Sequence, residues 1–84
     1  MNEFKFKQPL IIANIALLLK SMTKLLAASK ELSIDLSTVS NIDSSGVALL
    51  LELKAVAHHQ HCQLNFTNTP EVVKKFCQLY QVNL

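Results

Sequence analysis

Ile34-Asp35-Leu36-Ser37-Thr38-Val39-Ser40-Asn41-Ile42-Asp43-Ser44-Ser45-Gly46-Val47-Ala48-Leu49-Leu50-Leu51 contains the change of hydrophobic period that decides the fold. Together with Leu32 and Ser33, its first residues alternate apolar and polar over five positions, the period of a strand and short enough for the centre of a small sheet. Ser37 to Asn41 is a polar loop. Beyond it Gly46, Leu49, Leu50, Leu53, Val56 and Ala57 recur at three- and four-residue steps, so they share one arc of a helix running from Ser44 to about His59. Asp43 stands where an N-cap belongs, with a carboxylate able to accept the backbone N–H of Ser45 or Gly46.

The same period changes repeat on both sides. Residues 3–8 alternate as a strand and end at Pro9, which cannot continue a ladder but can open a helix. From Leu10 to about Ser29, Ile11, Ile15, Leu18, Met22, Leu25 and Leu26 form an apolar stripe opposite Lys20, Ser21 and Lys24. Leu10 and Leu17 project on the polar side of that helix, as scattered exposed leucines or as contact surface. Downstream, Gln63-Leu64-Asn65-Phe66 reads as a third strand. Thr69-Pro70-Glu71 then opens a helix, with Thr69 as cap, Pro70 first and Val72, Val73, Phe76, Leu79 and Tyr80 on one buried face. The tail from Gln81 has no assignment. Strands alternating with helices give an α/β domain in βαβαβα order, with a short, mostly parallel sheet covered by helices.

A chain of 84 residues divided in two would leave neither half a core, so residues 1–84 are expected to form one domain. Half of the residues are hydrophobic and 17% charged, which argues against disorder and for an apolar surface that meets a partner. A formal net charge of +2 without any basic run argues against nucleic acid. Lys5 and Lys7 before the apolar run Pro9 to Leu19 suggest a leader, but Lys20 and Lys24 break the segment before Leu26-Ala27-Ala28-Ser29. The run is also too short for a membrane span, which needs about 20 residues. Cys62 and Cys77 are expected as two buried or half-buried thiols in a reducing compartment.

The single glycine, Gly46, falls in the first turn of the middle helix, where it costs about 1 kcal/mol relative to alanine. Close approach of another backbone or of a partner would offset that cost. Ser44 and Ser45 place hydroxyls at an electropositive helix end that tolerates a phosphate. Ordinary helix-start chemistry accounts for the same four residues. Val47, Leu51, Lys54 and His58 share a second arc beside the serines. Val47 and Leu51 either supply a docking strip or pack under the first helix.

The segment from Ile34 to Leu51, continued by Leu64 to Phe66 and Asn68-Thr69-Pro70, resembles the central part of STAS domains, the family of anti-sigma-factor antagonists. Leu79-Tyr80-Gln81-Val82 and Val47 to Leu51 look most like the MlaB-like branch, the small STAS subunit of a phospholipid-trafficking ABC transporter. The resemblance implies a non-enzymatic, cytoplasmic accessory subunit without cofactors. It would sit on the ATPase subunit at the inner face of the membrane; with the helix-start and wheel readings above, the expected contact residues are Asp43, Ser44, Ser45, Gly46, Val47 and Leu51. In the transporter branch the important hydroxyl corresponds to Ser44. In the antagonist branch a serine kinase phosphorylates the position of Ser45, and this chain has serine at both. Typical members begin with a β-hairpin that is missing here, so the sheet should be a strand short, with an edge exposed or paired with another chain.

Other chemistry is weaker. His58, His59, His61 and Cys62 suggest zinc, but neighbours on a helix point about 100° apart and no second ligand pair follows. His58 lies about 20 Å along the helix from Ser45, too far for proton transfer. Asp35 and Asp43 lack the nucleotide-binding loop that would make a divalent-ion site persuasive.

Overall fold

The computed structural model describes residues 2–84, with Asn2 as backbone only; Met1, part of the expected domain, lies outside them. Strand β1 (Asn2–Lys5), helix α1 (Ile12–Ala27), strand β2 (Glu31–Asp35), helix α2 (Ser44–His59), strand β3 (Gln63–Thr67) and helix α3 (Glu71–Leu79) follow in that order. The sheet is parallel with order β1-β2-β3, so the expected small STAS-like βαβαβα architecture is present. Two crossovers step in the same direction. Right-handed connections therefore place α1 and α2 on one face of the sheet, where they pack together.

Register sorts the strands into two faces. Phe4, Ile34 and Phe66 are partners across the sheet, as are Leu32 and Leu64, and this row meets the helices. On the other face Glu3, Ser33 and Asn65 form one row and Lys5, Asp35 and Thr67 the next. Leu18, Met22 and Leu26 of α1 join Leu49, Leu50 and Leu53 of α2 and Val73 of α3 in one buried cluster.

The structure shifts several expected boundaries. β1 ends at Lys5 rather than residue 8, because the carbonyl of Phe6 is taken by the Thr38 hydroxyl at 2.8 Å instead of by a ladder partner. α1 starts at Ile12, not Leu10. Leu10 forms an isolated parallel bridge with Ile42, its N–H donating to Asn41 at 3.0 Å and its carbonyl accepting from Asp43 at 3.2 Å. Its side chain is fully buried, so it does not lie on the polar side of α1, whereas Leu17 is 73% exposed.

In α3 the N-cap is Pro70, with extended backbone, rather than Thr69. Leu79 and Tyr80 are exposed and Cys77 fills the core instead, because a helix ending at Leu79 turns those two residues away. Tyr80 stacks on Phe76 with centroids 6.2 Å apart.

Helices α2 and α3 end in the same manner. Cys62 N–H donates to the Ala57 carbonyl and Val82 N–H to that of Cys77, each at 2.8 Å, with His61 and Gln81 in the left-handed region at φ 57 and 56. These are Schellman closures made without glycine. Cys62 and Cys77 are buried free thiols, and burial raises the pKa of each.

Candidate functional site

The start of α2 is built around Asp43. Its backbone is extended at φ −121 and ψ −173, which leaves the side chain pointing back over the helix end. Oδ1 accepts the Gly46 N–H at 3.1 Å and the Ser45 hydroxyl in a short hydrogen bond. Oδ2 accepts the N–H of Ile12 at 3.1 Å. Ile12 is the first residue of α1, whose own N-cap, Ile11, has no side chain able to cap. One carboxylate thus satisfies orphan donors at the start of two helices.

These bonds also set the charge. The Ser45 hydroxyl, with the N–H groups of Ile12, Gly46 and Ser45, holds the Asp43 carboxyl below its ordinary value against the opposing effect of partial burial. Asp43 is an anion at neutral pH, placed where the two helix dipoles favour one.

Gly46 has an internal explanation. A Cβ there would sit 2.2 Å from the Leu10 carbonyl oxygen and 2.6 Å from Ile42 Cγ1. The close approach offsetting the glycine cost is therefore that of the chain's own backbone. Gly46 is buried, not at the surface where a contact residue is expected.

Val47 departs from that expectation in the same way. It is 3% exposed, whereas a docking residue must reach the surface. Its flank of α2 turns away from α1 and toward the chain end: one heptad on, Lys54 Nζ donates to the Asn83 carbonyl at 3.2 Å. Leu51 differs, at 38% exposed. It shares the outward line of α2 with Ser44, Ala48 and Ala55, all exposed.

The two serines have separate settings. Ser44 is exposed and its hydroxyl has no hydrogen-bond partner among the described residues. Ser45 is half-buried, bonded to Asp43, and lines a groove of about 320 Å³ with Ile15, Leu19, Ala48, Leu49 and Glu52. That groove runs between α1 and α2. Ile12, 76% exposed, stands at its α1 end. Ile12, Ala48 and Glu52 were not legible as site residues; the signal lay in an α1 start with no residue able to cap it.

The remaining polar candidates stand elsewhere. Asp35 accepts the Ser37 N–H at 2.8 Å and lies 3.6 Å from Lys5. The Ser37 N–H and hydroxyl, with help from Asn68 and Lys5, lower its pKa to about 2 against the effect of burial. His58, His59 and His61 are exposed, and no three potential metal ligands converge among the described residues. Among the described residues no helix is long and apolar enough to cross a membrane.

A family model described as Mlab, STAS domain matches residues 10–83. The match takes in all three helices with β2 and β3, and leaves β1 outside. Comparison with individual curated proteins gives no match.

Proposed function

Because this chain belongs to the MlaB-like STAS domain family, whose domains are accessory or regulatory modules that bind other proteins, we propose that it is a non-enzymatic cytoplasmic subunit docking on the ATPase of a phospholipid ABC transporter. The observation that carries this is the division of labour at the α2 start. Asp43 and Gly46 are consumed in holding α1 to α2, while the Ser44 hydroxyl and the Leu51 side chain remain outward on one line. Exposed Ala48 between them lets a partner backbone come close. A small apolar strip with one hydroxyl suits an interface in which a few buried contacts fix register. The subunit would stabilise the ATPase in its assembled state and carry no chemistry of its own.

Co-expression with the ATPase subunit tests this reading. Ser44→Ala and Leu51→Asp should each lose capture while thermal unfolding of the free subunit is unchanged; full capture by both variants would sink it.

A second reading rests on the Ser45–Asp43 hydrogen bond. In a phosphorylation-switched antagonist of an anti-sigma serine kinase, phosphate on Ser45 would replace that bond by repulsion beside the Asp43 carboxylate. Phosphate located on Ser45 by mass spectrometry after incubation with such a kinase, together with failed capture by any transport ATPase, would favour it.

A further inference from the structure

The geometry points to a second docking surface: the free edge of β1, which we infer pairs antiparallel with β1 of a second copy across a two-fold axis at Phe4, joining two three-stranded sheets into one. β1 is bonded to β2 alone, so its other side presents unpaired backbone groups among the described residues. Such an edge is a template for another strand unless its side chains forbid pairing.

Charge selects the partner and the register. Glu3 and Lys5 lie two residues apart on the polar face, flanking Phe4 on the apolar face. In a continuous sheet, facing residues must point to the same side. A two-fold at Phe4 sets Glu3 against Lys5 of the second copy, Lys5 against its Glu3, and the two Phe4 rings against each other. Moving the axis to Glu3 opposes two glutamates, and moving it to Lys5 opposes two lysines. Of these three axes only that at Phe4 opposes unlike charges without also setting like charges together, and it does so twice because the interface is isologous.

The helix layer agrees. The α2-facing flank of α1 is marked by Ile15 and Leu19 in the groove. Leu17 lies about 200° round the helix from Leu19 at about 100° per residue, so it looks away from α2, to the side beyond β1. At 73% exposure it is an apolar side chain with nothing over it, and a second α1 running antiparallel across the axis would cover it. This surface is separate from the Ser44–Leu51 line and does not depend on what docks there.

Charge reversal with mixing tests the pairing on the full chain, by sedimentation equilibrium. The wild type should dimerise; Glu3→Lys and Lys5→Glu should each sediment as monomers with native circular dichroism at low temperature, Lys5→Glu melting lower because it also gives up the Lys5–Asp35 ion pair. An equimolar mixture of the two variants should recover the dimer, since each lysine then faces a glutamate. Independently of those variants, Phe4→Cys should form an intermolecular disulfide under mild oxidation, Cys62 and Cys77 being buried. A wild type monomeric up to millimolar concentration, variants that still dimerise alone, a mixture that stays monomeric, or a Phe4→Cys chain that does not cross-link each overturns the pairing.

Discussion

The Asp43 carboxylate accepts the backbone N–H of Ile12, 31 residues earlier in the chain, at 3.1 Å while its other oxygen caps its own helix. The starts of α1 and α2 are therefore one structural unit, closed by the Leu10–Ile42 bridge beneath them. A partner docking on Ser44, as proposed, would rest on an end held from two sides.

Asp43→Ala should lower the melting temperature by more than loss of a single N-cap would, since donors of both helices lose their acceptor. Asp43→Asn keeps one carbonyl oxygen and should fall between the two. Hydrogen exchange at the Ile12 amide separates this account from a cap on α2 alone: protection there should drop in both variants.

Gly46→Ala carries a sign that local propensity gets wrong. In an ordinary helix the change is stabilising by about 1 kcal/mol. Here the new methyl would meet the Leu10 carbonyl, a backbone atom that cannot swing aside. A loss of about 1–3 kcal/mol, as for an overpacked core, is expected in urea unfolding.

Acid should destabilise the fold through Asp35 and Asp43. Both carboxyls bind protons less readily in the folded chain than in the unfolded one, so their contribution is fully present above the ordinary value of 3.8. It fades as pH falls from there toward about 2, the folded value for Asp35. Melting temperature followed over that window should decline in the wild type. Asp35→Asn should be less stable at neutral pH and show a flatter acid profile.

Val47 and Leu51 should separate stability from docking. Val47→Ala leaves a void in the core and should cost about 2 kcal/mol with partner capture retained. Leu51→Asp should leave the melting temperature nearly unchanged and lose capture. The paired measurement is thermal unfolding and pull-down on the same preparations.

His61→Gly should stabilise the chain by about 1 kcal/mol, because a residue with a Cβ is strained in the left-handed region that closes α2. Chemical denaturation measures it directly. The imidazole is exposed, so little packing is lost in exchange.

Much of the fold was legible because each element carries its own period: the bounds of α2 follow from the spacing of Leu49, Leu50, Leu53 and Ala57 and from Asp43 as cap. Where the reading slipped, the deciding contact was distant. Leu10 falls on the polar side of an ideal helix, yet its bridge to Ile42 delays that helix by a turn's opening. Val47 sits beside the serines on a wheel, but a wheel has no neighbours, and the flank it shares with Lys54 turns toward the chain end.

The amino-acid order by itself determined the alternation of strands and helices, the cap at Asp43 and the presence of a close approach at Gly46. These depend on residues within a few positions of one another, where local geometry is set by periodicity and by side-chain size. Only the tertiary structure decided that the approaching atom is the Leu10 carbonyl, that the second carboxylate oxygen serves Ile12, and that Ser44 faces outward while Val47 is enclosed. Those outcomes depend on how α1 lies against α2, and hydrophobic phase says which side of a helix is buried without saying which atoms of another segment bury it.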